Sequence, residues 1–334
     1  MCIRDRLYGI GCWLTVLDRA TGYAREVMSG GAFGCHPLID KRRNLAVVYL
    51  PYSQKHKSDG MGRVYNDSHA VVLQMMDLVY AAIPAQPETI HASPSGNHVP
   101  PFVSWEDAAT NLQAALDVAM NGDAVLAGAG TYNMTTQLSV NAAIAMTGVS
   151  GPAATVLDTQ ASNRCLYVNA DALISGFTFT NGAITGAGGG GIYFDGAGTV
   201  SNCVIRSCRS LDQDRDGGAI FMNGGGTVTH SIIRDNQSAR FAASVYAIGG
   251  GLVSDCYVSN NVAEDGCGGI FFVSGGLARR CEIRNNEPCG GDILNGGAFE
   301  NCILSDNYAN GITIWNEGIV RNCTIAGNGN AGIT

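Results

Sequence analysis

No lysine follows Lys57 in this chain of 334 residues, and only 14% of its residues are charged. Residues 1–90 carry ten Lys/Arg against eight Asp/Glu, whereas residues 91–334 carry ten arginines against twenty acids. A second part so poor in positive charge does not suit nucleic acid or an anionic membrane surface, which select basic patches. Polyanionic sugars would be resisted too, unless a divalent cation bridged them. No run of about 18 apolar residues occurs, so no transmembrane segment is expected. The start of the chain has no apolar stretch of the kind that marks a secretion signal. No Cys-x-x-Cys and no Cys/His ligand spacing occurs, which argues against a zinc site.

What the chain has in abundance is glycine, 45 residues of it, with twelve cysteines. Such a composition suits turn-rich all-β architecture. The cysteines belong to a repeat, the first thing to seek in a chain of this composition. Asn202-Cys-Val-Ile205, His230-Ser-Ile-Ile233, Asp255-Cys-Tyr-Val258, Arg280-Cys-Glu-Ile283, Asn301-Cys-Ile-Leu304 and Asn322-Cys-Thr-Ile325 align, with Gly176-Phe-Thr-Phe179 as an earlier, looser copy. The small residue of this column is placed at 176, 203, 231, 256, 281, 302 and 323. Asparagine follows at 236, 261, 286, 307 and 328, and a Gly-rich segment such as Gly191-Ile-Tyr-Phe194 precedes each copy.

Each period supplies short alternating strands separated by turns. One coil cannot bury its apolar side chains, but stacked coils share a continuous interior. Alternation places Cys203 and Ile205 inside and Asn202, Val204 and Arg206 outside. The cysteines are therefore expected as a ladder of small buried thiols, since in-register stacking gives poor torsions for disulfides. Glycine and asparagine supply left-handed corners, and stacked corner asparagines can bond from coil to coil. The expected fold is mainly β: a right-handed parallel solenoid over residues 101–334, with residues 85–100 as linker and lead-in strand. Because Ala331-Gly-Ile-Thr334 reads as the start of another coil, further coils of the same solenoid are expected beyond Thr334.

Upstream, Ser104-Trp-Glu-Asp107 reads as a capping box opening a helix, with Ala108, Leu112, Ala115, Leu116 and Ala119 as its apolar face. Asn121-Gly-Asp-Ala-Val-Leu126 and Gly130-Thr-Tyr132 follow. These segments, with Ala92-Ser-Pro-Ser-Gly96 as lead-in, resemble the N-terminal cap of the right-handed parallel β-helix superfamily that includes pectate lyases. The resemblance covers about residues 90–334. It implies an extracellular or cell-surface protein that binds or acts on polysaccharide; a purely structural or adhesive solenoid is the alternative.

Residues 7–84 follow different rules. Tyr8–Leu14, Tyr23–Ser29, Cys35–Ile39 and Leu45–Leu50 read as antiparallel strands, and Asp67–Ala82 as a closing helix, a small incomplete α+β segment. The Tyr8-Gly-Ile-Gly-Cys-Trp13 strand and Ser29-Gly-Gly-Ala-Phe-Gly34 resemble the C-terminal end of serine β-lactamase and penicillin-binding-protein-like hydrolases. Ser29, Gly30 and Gly31 then stand where that family carries its third motif, without the usual basic residue. The chain has no Ser-x-x-Lys, so a serine hydrolase would lack its nucleophile. Residues 1–6, Met-Cys-Ile-Arg-Asp-Arg, read as adapter-derived translation from a metagenomic reading frame and are set aside from the expected fold.

Chemistry on the solenoid has three candidate seats. Asp212, Asp214 and Asp216, followed by Gly217, have the alternation with which a tight loop wraps calcium; the closing Glu of such loops is replaced by Asn223, and a solvated corner is the other reading. Pectate-lyase-like enzymes use a basic residue near calcium-binding carboxylates, which would cast Arg206 or Arg234 as the base, with His230 and Asp255 as further catalytic candidates. Arg280 and Arg284 lie on the same outward stripes and could hold sugar hydroxyls or carboxylates; alternation requires polar residues there in any case. Tyr193, Phe271 and Trp315 could stack on sugars or simply pack. The Gly-His-Gly and Arg-x-Lys motifs of glycoside hydrolases on this fold do not occur.

Overall fold

The computed structural model describes residues 87–334, apart from 187 and 212–216, together with eight strands between residues 2 and 65. The chain falls into two units, Met1–Glu88 and Thr89–Thr334.

In the first unit, strands Cys2–Ile3, Arg6–Gly9, Cys12–Leu17, Ala24–Met28, His36–Asp40 and Leu45–Tyr49 form one sheet in sequence order. Every pairing in that sheet is antiparallel. The stretch 8–14, expected as a single strand, is instead divided between two antiparallel strands in which Tyr8 pairs with Trp13 and Gly9 with Cys12. The expected helix 67–82 and the Ser29, Gly30, Gly31 motif lie outside the described residues.

The second unit is a parallel solenoid of about eight turns. Each turn contributes a strand to each of three parallel stacks. One stack runs from Leu138–Val140 through Leu166–Val168, Ile192–Asp195, Ile220–Asn223, Val245–Ile248 and Ile270–Phe272. A second runs from Thr89–Ala92 through Ala124–Ala127 and Ala145–Gly148 to Leu277–Arg279. The ten-residue strands Gly291–Glu300 and Ile312–Arg321 join these two stacks. The third stack, nine strands from Gly130–Asn133 to Thr324–Ala326, carries the sequence repeat. A short fourth stack holds Ala183–Ile184, Arg209–Ser210, Gln237–Ser238 and Val262–Ala263.

Alternation fills the interior as expected. Phe179, Ile205, Ile233, Val258, Ile283 and Leu304 occupy one register column of the third stack, and each is fully buried. Each such aliphatic or aromatic side chain contributes roughly 1.5–3 kcal/mol on burial, and most have like neighbours above and below. The earliest copy of the cysteine column is Phe177, not Gly176. Thr178 pairs with Val204, so Gly176 lines up with Asn202 and takes the left-handed corner at φ 80°. Asn202, His230, Asp255, Arg280, Asn301 and Asn322 occupy that same corner at φ between 48° and 55°.

The cysteine ladder is confirmed. Cys203, Cys256, Cys281 and Cys302 are free and buried, with each thiol donating to backbone carbonyls, as Cys203 Sγ does to Ser201 O at 3.2 Å. The asparagine column is confirmed with it. Asn236, Asn261, Asn286 and Asn307 are buried, and each donates through Nδ2 to Oδ1 of the next at 2.9–3.1 Å, the last to Asn328.

Before the first full coils, helix α1 spans Leu112–Val118. It opens at Leu112 with Asn111 as N-cap, accepting from Gln113 N, and not at Ser104. Ser104 and Asp107 do make box-like bonds, Asp107 N donating to Ser104 Oγ at 3.1 Å. Residues 104–107 bend, and the chain then reaches Ala109, which bridges Ala92 in parallel, so the box closes a turn. The expected apolar face holds: Ala108, Leu112, Ala115, Leu116 and Ala119 are all buried.

Candidate functional site

Two consecutive left-handed corners shape the outside of the third stack. The first, between second and third stacks, carries His230, Asp255 and Arg280 in one column. Here Arg280 donates from Nε to Asp255 Oδ1 and from NH2 to Oδ2, both at 2.6 Å. This bidentate clamp holds the Asp255 carboxyl below the usual carboxylate range and raises the Arg280 guanidinium. His230 is exposed, with Nδ1 2.8 Å from the Thr229 hydroxyl. Arg280, a sequence candidate for holding ligand, is thus occupied by Asp255.

The outward column of the third stack places Arg206 beside Arg234, then Ser259 and Arg284. Arg234 pairs with Asp235. Arg284 pairs with Glu282 and lies over the Tyr257 ring at 5.7 Å. Among the described residues Arg206 makes no ion pair.

The second corner, between third and fourth stacks, carries Asn181, Ser207, Asp235, Asn260, Asn285 and Asp306, all at φ between 54° and 58°. Short polar side chains tolerate that conformation best. A groove opens along this corner, lined by Ala161, Asn181, Ser207, Cys208, Arg209, Asp235 and Gln237. Its polar lining comprises the Arg209 guanidinium, the Asn181 and Gln237 amides and the Asp235 carboxylate, of which Asn181 Nδ2 already donates to Asp158 Oδ1 at 3.0 Å and Asp235 pairs with Arg234. Asn260 Nδ2 reaches Asp235 Oδ1 at 3.4 Å from the next coil. Arg206 and Arg234 each precede a groove corner by one residue, so two of the sequence candidates flank it. The groove residues Asn181, Arg209 and Gln237 were not singled out in the sequence. Their signal is faint, because they come from three different coils.

On the opposite flank, the outward face of the first stack is an aromatic column. Tyr193 stacks between Tyr167 at 5.5 Å and Phe221 at 5.0 Å, and Tyr246 follows, then Phe271. Arg164 lies over Tyr193 at 4.9 Å and donates to the Gly188 and Gly189 carbonyls. Phe221, Tyr246 and Phe271 form a second apolar cluster with Ala242, Cys267 and Cys289. Tyr193 and Phe271 therefore spend their faces on neighbouring rings, while Trp315 is 64% exposed. The column ends at Asp292, paired in register with Phe271. Burial pushes the Asp292 carboxyl up to about 6. The candidate calcium loop, Asp212, Asp214 and Asp216, lies outside the described residues.

The family described as right handed beta helix region matches residues 142–299 and 242–334. Among solved structures, pectate lyase Pel9A is 15% identical, with 69% of this chain and 68% of that chain covered and a TM-score of 0.51. Escherichia coli ybhc is 11% identical over 74% of this chain and 79% of its own, with a TM-score of 0.43. Pectin methylesterase from Aspergillus niger is 12% identical over 75% and 86%, with a TM-score of 0.37. No curated protein matches the chain.

Proposed function

From the premise that this chain belongs to the right handed beta helix region family, we propose that its solenoid is an extracellular polysaccharide-binding surface. The observation that carries this reading is the corner groove of Asn181, Ser207, Arg209, Asp235 and Gln237. It runs across coils and is lined mostly by polar side chains, with Ala161 and Cys208 as the apolar exceptions. A linear polymer laid along the solenoid axis meets an equivalent corner at every coil, about 4.8 Å apart. Sugar hydroxyls both give and accept hydrogen bonds, which suits such a mixed lining better than an anion would. The name of pectate lyase Pel9A adds uronate polymers to the test, beside the neutral glycans that this lining favours.

Binding is tested by retention of the protein on a panel of insoluble and immobilised polysaccharides, neutral and uronate, with Arg209→Ala and Gln237→Ala alongside. Retention that both variants weaken supports the reading. Silence across the panel, or retention indifferent to both substitutions, removes it. A calcium-dependent rise in ultraviolet absorbance on uronate polymers would add lyase chemistry, with Arg206 or Arg234 as the base and Asp212, Asp214 and Asp216 holding the ion. Residues 7–84 are read as a piece of a serine hydrolase without its nucleophile; turnover of nitrocefin or short-chain esters would overturn that.

A further inference from the structure

Two of the nine solenoid cysteines stand apart from the interior core that holds the other seven. Cys267 and Cys289 lie outside the first stack, on successive coils, and pack with Phe221, Tyr246 and Phe271. The equivalent position one coil earlier is Ala242, bridged to Cys267 and equally buried. Packing alone therefore does not call for a thiol at 267.

Asp292 is the second anomaly. Its register neighbours, Phe221, Tyr246 and Phe271, are aromatic, and it is only 7% exposed. A carboxylate in such a place is costly unless something compensates it. On its other side Thr313 is the register neighbour, and the Thr313 hydroxyl and Cys289 thiol bond the carboxyl, yet its Oδ1 has no hydrogen-bond partner. The two sulfurs and a carboxylate oxygen of Asp292 lie within 4.8 Å of one another.

We propose that Cys267, Cys289 and Asp292 form a binding site for a zinc-like divalent transition metal, closing successive coils together. Two thiolates and one carboxylate are a donor set for zinc or cobalt rather than calcium, which takes oxygen ligands. Tetrahedral bonds of about 2.3 Å to sulfur and 2.0–2.2 Å to oxygen set donors about 3.5–3.8 Å apart. Small rotamer adjustments close the present spacing to that. The thiols now donate to carbonyls, Cys267 Sγ to Cys289 O at 3.2 Å and Cys289 Sγ to Gly291 O at 3.7 Å. Metal entry displaces both thiol protons, and the carboxylate gains the partner its Oδ1 lacks. Water completes the fourth position. The site is independent of the polysaccharide reading, since it lies on a different stack.

The test is a Co²⁺ titration of the reduced full-length chain, with Cys2, Cys12 and Cys35 replaced by serine so that only solenoid thiols report. One equivalent is expected to raise a thiolate-to-cobalt absorption band, which one equivalent of Zn²⁺ then removes. The band is expected to vanish in Cys267→Ala, a variant that copies the Ala242 coil, and to weaken in Asp292→Asn. Cys281→Ser, in the interior ladder, is expected to retain it. A missing band, a band that survives Cys267→Ala, or a Cys267–Cys289 disulfide in the freshly reduced protein overturns the proposal. Circular dichroism confirms that each variant keeps its β signal.

Discussion

Asn261 donates from Nδ2 to Asn286 Oδ1 at 2.9 Å, and Asn286 Oδ1 also accepts the Asn261 backbone N–H at 3.1 Å. The remaining amide proton goes back to Ile233 O at 3.1 Å, and Asn261 Oδ1 accepts both N–H groups of Asn236. Every hydrogen-bonding capacity of the side chain is thus used, in a fully buried place. Asn261→Ala strands two donors and an acceptor at once, and buried unsatisfied groups cost about 1–3 kcal/mol each. The expected loss is about 3 kcal/mol or more in urea unfolding. Asn260→Gly, one residue away at an exposed left-handed corner, is expected to change the midpoint little.

Gly269 makes a different demand. A Cβ there would sit 1.8 Å from Gly290 O in the next coil, and that contact is backbone on backbone. Gly269→Ala is expected to destabilise by more than about 2 kcal/mol, in the range of overpacked cores. Hydrogen exchange should show the opening concentrated in the coils around residues 245–293, because solenoid repeats couple chiefly to their neighbours.

The interior thiols should be chemically silent. Burial pushes the Cys203 thiol up to about 12, and thiolate is the reactive form. Brief alkylation of the folded chain followed by peptide mapping is expected to label, of the nine solenoid cysteines, Cys323 alone, the one that is partly exposed. Cys203, Cys256, Cys281 and Cys302 should react only after denaturation. Labelling of Cys203 at the rate of Cys323 would contradict the ladder.

Asp255 carries a pH signature. Arg280 stabilises its carboxylate, so the folded carboxyl titrates below the ordinary 3.8. The unfolded chain takes up that proton first as pH falls. The pair's contribution is therefore complete at neutral pH and fades in acid as the folded carboxyl protonates. Carbon-detected NMR titration should find Asp255 below 3.8 in the parent chain and nearer to it in Arg280→Ala. Both groups are largely solvated, so the global effect on stability is expected to be small.

The periodic part of the molecule was legible in the sequence because a solenoid writes each contact once per coil. Cys203, Asn261 and Ile233 announce themselves through recurrence. Gly176 misled by one residue, since a small residue suits both the interior column and the left-handed corner, and only register separates them. Ser104 misled because a capping box shows a turn's hydrogen bonds without showing whether a helix follows. The groove and the Cys267, Cys289, Asp292 cluster were illegible for a common reason. Their members stand on different coils, and the spacings that join them match no local ligand motif. Sequence patterns built for single loops miss sites assembled by stacking.

The asparagine column has one more property. From Asn236 to Asn307 each side-chain amide gives one proton to the next rung on the C-terminal side and the other back to a carbonyl of the preceding coil, so the amide-to-amide bonds all run one way. Aligned bonds polarise one another, and the column behaves as a filament with a head and a tail, indifferent to whether 25 or 21 residues separate its rungs. A coil can thus lengthen or shorten on its outer loops while the axis keeps its polarity and its pitch.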